Sequence, residues 1–392
     1  MKNITVQHRC PESNSYRAER VKSLFNVETG AEFFCQAELP TDEPNWSIGV
    51  IYGASGTGKT SIGRAIGPLY QPSWPSDAPI VYGICAGQAD AFDGVTGALA
   101  SVGLGTVPSW LRPFHVLSMG EQFRANLARL LCESPALAVV DEFSSVVDRQ
   151  IAQVGAGAFA KAWRRTSGQA VLLSCHDDIL DWVQPDWVFN TNTGELIDHR
   201  HTRGSVRRPE IGVEIQTTNQ SYWPLFEPHH YLKLPPMVAA SNYVAFIDGR
   251  PVAHVAFATR PGLVEARSCR LVVMPEWQGA GVGMRFLNHI CGLWMGGHNR
   301  YNKAMPTLFH TSHPGLSAAL RRDKNWTQVS ANLYGGNKAR SAKALKASAL
   351  KNGVKKGGGA GFGGHFRAVQ GFRYIGPPVA PSAAQCQTNG GV

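Results

Sequence analysis

The sequence predicts a two-domain α/β chain, and three observations carry that prediction. A strand, a glycine loop and a helix follow one another over residues 48–66, and the same succession returns over residues 269–293. The formal charge also changes sign near residue 205. Residues 1–205 hold 16 Lys and Arg against 21 Asp and Glu, whereas residues 206–392 hold 22 against 7. At 392 residues the chain is long enough for two cores.

The first glycine loop reads Gly53-Ala-Ser55-Gly56-Thr-Gly58-Lys59-Thr60 and follows the apolar run Ile48-Gly-Val-Ile-Tyr52. Glycines let backbone N–H groups turn inward on phosphates, Lys59 reaches the terminal phosphates, and the Thr60 hydroxyl is placed to ligate Mg²⁺. Ser61 then opens a helix-compatible segment whose N-terminus favours anions. A glycine-rich turn without a ligand is the bland alternative for this motif alone. The later elements argue against it.

Leu117-Ser118-Met-Gly120-Glu121-Gln122 opens an amphipathic stretch to Leu131, and Ser118 with Glu121 has capping-box spacing. Ala136-Leu-Ala-Val-Val140 reads as a short buried strand ending in Asp141-Glu142. That pattern offers one carboxylate to Mg²⁺ and a second to the attacking water. Asp148 follows, and a further strand, Ala170-Val-Leu-Leu-Ser174, delivers Cys175-His176. Taken alone, a histidine such as His176 is more often structural than catalytic.

In this order, from Gly53 to His176, the chain resembles the ABC-type ATPases. The resemblance implies that Gly53, Ser55, Gly56, Gly58, Lys59, Thr60 and Ser61 bind ATP, and that Gln88 is the Q-loop residue. It implies that Ser118 and Gly120 belong to the signature loop and Asp148 to the D-loop, that Thr60, Gln88 and Asp141 hold Mg²⁺, and that Glu142 and His176 are catalytic. Met119 stands where that family usually has glycine, and Glu121 where it usually has glutamine. A single cassette also implies a homodimer, because such sites are completed by the signature loop of a second copy.

No stretch approaches the roughly 18 consecutive apolar residues of a membrane span, and the N-terminus lacks a signal-peptide core. Eight cysteines are scattered without CxxC spacing. A cytoplasmic protein with reduced thiols and no membrane segment of its own is the expectation.

A linker, Thr202-Arg-Gly-Ser-Val-Arg-Arg-Pro209, separates an expected first domain at 1–205 from a second at 206–334. There, Ile211-Gly-Val-Glu-Ile215 alternates like a strand, and Tyr243-Val-Ala-Phe-Ile247 with residues 251–259 reads as a hairpin turned at Asp248-Gly249. Cys269-Arg-Leu-Val272-Val273-Met274 then runs into Pro275-Glu-Trp-Gln278-Gly279-Ala280-Gly281-Val282-Gly283 and a helix over 284–293.

This loop fits neither GxxxxGK nor the dinucleotide-binding spacing. Its Gln278-x-x-Gly281-x-Gly283 run resembles the acyl-CoA loop of GNAT acetyltransferases. The resemblance implies a GNAT-like α+β acyltransferase domain behind the P-loop ABC-type ATPase domain. Backbone groups of Gln278, Gly279, Ala280, Gly281, Val282 and Gly283 would hold the diphosphate of acetyl-CoA, and the strand at Val272 and Val273 would bind the pantetheine arm. His229, His230, Glu265 and His313 compete as acid–base residues, each with a structural alternative. Together the two halves look like the family of ABC-type ATPases fused to a predicted acetyltransferase domain.

Between residues 335 and 364 lies a Lys- and Gly-rich insertion, followed by a last strand at 365–378 and a tail at 379–392. From Lys324 onward there is no Asp or Glu. Such asymmetry points to a polyanionic partner, DNA or RNA before a membrane surface. Three function classes stay open: an ATP-dependent acyltransferase acting on a nucleic acid base, a nucleic-acid-clamping ATPase whose second fold is a binding module, and a protein or small-amine N-acetyltransferase.

Overall fold

The structure, a computed structural model, describes residues 1–9, 15–26, 32–85, 92–200, 210–232, 237, 239–260, 262–332 and 368–380. The expected linker from 202, Gln88, the basic insertion and most of the tail lie outside the described residues. Two compact units emerge: Met1–Trp74 with Arg129–Pro209, and Pro75–Ala128 with Glu210–Val392.

In the first unit β1 (Lys2–Arg9) and β2 (Glu32–Leu39) form an antiparallel pair. Five further strands, β3 (Ile48–Tyr52), β4 (Leu137–Val140), β5 (Gln169–Ser174), β6 (Trp187–Asn190) and β7 (Glu195–Asp198), form a sheet in the order β4-β5-β3-β6-β7. Only β6 with β7 is antiparallel. Short unbroken apolar runs suit strands covered on both faces, and Ile48, Val50, Ile51, Val139, Val171 and Leu173 are fully buried. Gly49 faces Trp187 of β6, where a Cβ would overlap the indole. Parallel register sets Tyr52 level with Ser174 and Val140 level with Leu172. The C-terminal ends of β3, β4 and β5 therefore share one edge, and the loops that follow them converge there.

The second unit is built on a seven-stranded sheet of β8 (Glu214–Thr218), β9 (Ser241–Ile247), β10 (Arg250–Thr259), β11 (Ala266–Val273), β12 (Thr307–Thr311), β13 (Trp326–Asn332) and β14 (Val369–Tyr374). Its order is β13-β14-β12-β11-β10-β9-β8. All neighbours are antiparallel except β11 and β12. One face packs on the helix Val282–Met295, whose Phe286, Leu287, Ile290 and Trp294 join Tyr243, Phe257 and Phe309 in the larger core. Each such side chain contributes about 1.5–3 kcal/mol of burial. The opposite face, around Val244, Phe246 and Val272, is covered by Trp223 and Phe226.

Two sequence expectations shift. The strand expected at 211–215 forms at Glu214–Thr218, because Glu214 pairs with Phe246 near the end of β9 and the preceding residues run past their partner. Strand β13, with the polar alternation Trp-Thr-Gln-Val-Ser-Ala-Asn, was not expected; pairing with β14 supplies what its composition does not. No helix among the described residues is long and apolar enough to cross a membrane.

Candidate functional site

The first glycine loop leaves β3 and enters the helix Lys59–Ile66 through Gly58 at φ 87°, with Gly56 at φ 83°. L-residues resist this left-handed region. Gly58 has a second constraint, since a Cβ there would overlap the Phe33 ring of β2. The first helical bond runs from Ile62 N–H to Gly58 O at 2.9 Å, so the N–H groups ahead of it are free for a ligand. Lys59 curls back over the loop, its ammonium donating to Gly53 O (2.9 Å) and Ala54 O (2.6 Å).

A cleft of about 440 Å³ opens on this loop and is lined by Ser55, Lys59, Thr60, Asp141 and Glu142, with His8 and Phe33 at its side. His8 Nε2 shares a hydrogen bond with Ser61 Oγ at 2.7 Å and stacks on Phe33. Thr60 Oγ1 donates to Asp141 Oδ1 at 3.1 Å. These are adjacent hard oxygen donors, the chemistry Mg²⁺ takes. The residues present thus fit a Mg-nucleotide.

Asp141 directly follows β4, and its Oδ1 also accepts the N–H of Glu142 at 2.9 Å. Glu142 and Ser144 hold left-handed backbone at φ 48° and 68°. Phe143 between them is buried and tied to Leu173 O of β5 at 2.8 Å. Backbone strain of this kind persists where the surroundings enforce it. Asp148 caps the helix Arg149–Trp163 by accepting from Gln150 N–H. His176 follows β5, half-buried, with its backbone held by the Ser174 hydroxyl. Nearby Asp178 resists burial's upward push because Arg149 hydrogen-bonds it, and the His176 ring adds a smaller contribution; its carboxyl sits below the usual value.

Ser118 and Gly120 belong to the second unit, at the start of the helix Met119–Glu133. The capping box forms: Ser118 N–H donates to Glu121 Oε2 at 3.0 Å and Glu121 N–H to Ser118 Oγ at 3.4 Å. Burial raises the Glu121 carboxyl, but hydrogen bonds from Ser109 and Ser118 outweigh it and hold the group below its ordinary value.

Within the same unit the second glycine loop is engaged by the segment before that helix. Gln278 accepts from Gly105 N–H at its Oε1 (3.0 Å), donates from Nε2 to Val273 O (2.9 Å), and accepts from Arg124 at its backbone oxygen (2.9 Å). Arg124, only 3% exposed, also donates to Gly103 O. Burial brings its pKa down to about 10, opposed in part by the charge of Glu276. Beyond Gln278 the loop is open: Gly279 and Gly281 lie at φ 97° and 84°, and a Cβ on Gly281 would meet nothing. Gly283 instead lies close against Val273. Ala280 N–H turns back to Trp277 O, and Val282 begins the helix. Val272 is buried and Val273 half-buried.

The acid–base candidates separate. His313 caps the helix Pro314–Arg322 by accepting from Leu316 N–H at Nδ1 (3.2 Å), while Nε2 lies 2.9 Å from Gly105 O and therefore donates. Both nitrogens are taken. His230 is buried, with Nδ1 at Leu232; His229 is half-buried beside it. Glu265 is ion-paired with Arg260 and Arg373. Sequence reasoning missed Arg124, Gly105 and the buried His254. His254 is 1% exposed on β10, packed between Trp223 and Phe226, with Nδ1 3.2 Å from Arg270 O. The Gly103-Leu-Gly105 spacing was the one available signal for close backbone approach.

No family model matches the chain. It is 33% identical over 121 residues to a Nostoc sp. protein named "Putative ABC transporter ATP-binding protein", a match spanning 30% of this chain and 43% of that relative. The chain thus spans under half the length of the curated relative it matches. Among solved structures it is similar to a bacterial Atm1-family ABC exporter with ATP bound, at 17% identity over 46% of this chain and 40% of that one, with a TM-score of 0.32. It is also similar to cbiO1 of Clostridium perfringens, at 15% identity over 45% and 84% of the respective chains and the same TM-score. Scores this low add nothing to the argument. The curated relative and the geometry of the cleft agree on the coarser statement, that this chain carries an ABC-type ATPase domain.

Proposed function

We propose that the protein binds and hydrolyses ATP as an ABC-type ATPase and couples that cycle to acyl-CoA-dependent N-acyl transfer, with a nucleic acid base as acceptor. The observation that supports the transfer half is the divergence of β11 and β12. They pair only through Ala266–Ser268 with Thr307–Phe309, while β11 continues to Val273 on its other edge with β10. A bulge at Arg270, φ 56°, accompanies the parting. Beyond Ser268, β11 has no pairing with β12, and the chain leads from Val273 to the N-terminus of the helix Val282–Met295; the notch proposed for the acyl donor lies along this edge.

Acetyl-CoA would lie in that notch, its diphosphate at Gly279, Gly281, Val282 and Gly283 and its pantetheine along Val272 and Val273. In the transfer the acceptor nitrogen bonds to the thioester carbonyl carbon, the C–S bond breaks, and the amine proton ends on the CoA thiolate. A nucleobase amine is already neutral, so no strong base is required beforehand. The engaged His313 and paired Glu265 suit that chemistry better than an ammonium acceptor.

In the first unit, Lys59 and the loop N–H groups would hold the nucleotide phosphates, Thr60 and Asp141 the Mg²⁺, and Glu142 the attacking water. The ion supplies charge neutralisation at the phosphates. Ser118 and Gly120 would complete the site of a second copy, making the working form a homodimer.

A clamp that only binds nucleic acid is the second reading, favoured by Gln278, whose polar groups are already committed to Gly105, Val273 and Arg124. Incubation with labelled acetyl-CoA, DNA and RNA, with and without Mg-ATP, separates the two once nucleosides are resolved by mass. An ATP-dependent mass-shifted nucleoside supports transfer; unlabelled nucleosides with nucleic-acid-stimulated ATPase support the clamp.

A further inference from the structure

The sheet face opposite the helix Val282–Met295 changes character along its width. Trp223 and Phe226 cover the end at Val244 and Val272. Farther across, Arg267 of β11, Leu308 of β12 and Arg373 of β14 stand level in register. Directly paired residues point to the same side of a sheet, and the intervening Ala266, Phe309 and Phe372 turn into the core on the helix side. Arg267 and Arg373 are exposed, two strand spacings or about 10 Å apart. Leu308 between them is only 5% exposed, as expected beneath arginine stems lying over a sheet.

Arg260 completes the cluster. It and Arg373 pair with Glu265, which is 8% exposed, whereas Arg267 pairs with no carboxylate among the described residues. His310, on the same face two residues after Leu308, is held below its usual pKa by partial desolvation of its ring and then by the Arg267 and Arg260 charges, which the Glu265 charge opposes. Three guanidinium groups against one carboxylate leave the face cationic at neutral pH.

We infer that this face is a docking surface for the phosphodiester backbone of a nucleic acid, with Arg267 and Arg373 as phosphate contacts. The inference rests on the nucleic-acid acceptor proposed above and says where that partner lies. Charge complementarity identifies the occupant. A bilayer would want several large apolar anchors, and among the described residues of β11 to β14 Val329 alone is a large apolar side chain that is exposed. Position identifies the purpose. From Arg267, β11 runs five residues to Val272, roughly 15 Å, with the outward side of the strand leading to the notch proposed for the acyl donor. A strand held at the arginines sets a nucleotide a few steps along at the transfer centre. The acid-free run of lysines from Lys338 to Lys356 is inserted between β13 and β14 of this same sheet.

The test uses the full chain and fluorescein-labelled single-stranded and duplex DNA and RNA oligonucleotides, titrated across a salt series. Arg260 stays intact, so that Glu265 keeps a partner. Arg267→Gln/Arg373→Gln is expected to weaken binding at least ~10-fold at low salt and to lower the slope of log affinity against log salt by about 2, with Mg-ATP binding unchanged. Arg267→Glu alone should weaken it further than Arg267→Gln. Wild-type protein that binds no oligonucleotide, or binds anionic vesicles instead, overturns both the nucleic-acid reading and the surface. Wild-type binding that the double variant retains in full, with the same salt slope, overturns the surface alone; loss on replacing Lys343, Lys346 and Lys351 instead would then assign the contact to the inserted run.

Discussion

Replacing Arg124 by methionine puts the engaged glycine loop under a sharp test, because two large effects on stability oppose each other. Arg124 donates to Gly103 O and Gln278 O while 3% exposed. Lowering its pKa from 12.5 to about 10 corresponds to about 3 kcal/mol against keeping the charge inside. Removing the guanidinium relieves that term and strands the buried Gly103 carbonyl and the part-buried Gln278 carbonyl at about 1–3 kcal/mol each. The net change in stability therefore lies between about −1 kcal/mol (stabilising) and about +3 kcal/mol (destabilising). The loop should respond more strongly. In a trans peptide the Gln278 carbonyl and the Gly279 N–H point in opposite directions, so Arg124 aims that N–H away from itself, toward the open side of the loop. If the loop holds a diphosphate, losing one aligned donor to a charged ligand costs about 1.5–3 kcal/mol, or about 10- to 100-fold in affinity. Calorimetric titration with acetyl-CoA and, separately, with Mg-ATP reads both. Arg124→Met should raise the acetyl-CoA Kd by that factor and leave the Mg-ATP Kd alone, and Arg124→Lys should fall between, since an ammonium is a point charge without the planar fork. An unchanged acetyl-CoA Kd in a folded Arg124→Met protein, or equal loss of both ligands, refutes the reasoning.

Gly58→Ala adds a methyl at φ 87° against the Phe33 ring; about 1–2 kcal/mol of backbone strain plus that overlap should lower Mg-ATP affinity at least ~10-fold, and Phe33→Ala in the same background should recover part of it. Glu142→Gln should hold a dimer in Mg-ATP, and a mass measurement finding only monomer would count against the two-copy site. For pH, burial depresses His254 and His313 below their unfolded value near 6.5. The folded state therefore takes up protons less readily than the unfolded state, so their stabilisation is complete above about pH 6.5 and is lost as the pH falls through the folded values. Denaturant unfolding of His313→Gln between pH 7.5 and pH 5 should show a shallower acid loss than wild type, and identical profiles would exclude His313 as a source.

What the sequence made legible follows from how local each determinant is. The loop at Gly53 to Thr60 could be read because strand, glycines and helix N-terminus are consecutive and each residue acts on its own neighbourhood; β3 and the helix Lys59–Ile66 lie where the pattern put them. Ser118 and Glu121 were equally readable, since a capping box closes within four residues. The hairpin at Asp248-Gly249 joins β9 and β10 as its turn chemistry required. Strand β13 escaped because its polar alternation gains meaning only from β14, some forty residues later in the chain. Arg124 escaped for a related reason. On a helix wheel it is one more charged residue in an amphipathic run, and only the carbonyls of Gly103 and Gln278, brought together from 21 and 154 residues away, make it a buried joint. The same distinction governs the two glycine loops. At the first, every donor belongs to one short stretch, so the motif nearly specifies the site. At the second, the backbone at Gln278 that leads into Gly279 to Gly283 is held by Arg124, a residue from the segment that carries Ser118 and Gly120. Arg124 and Gly105 are contacts between that segment and the loop, which is why the Arg124 titration bears on coupling as well as on binding.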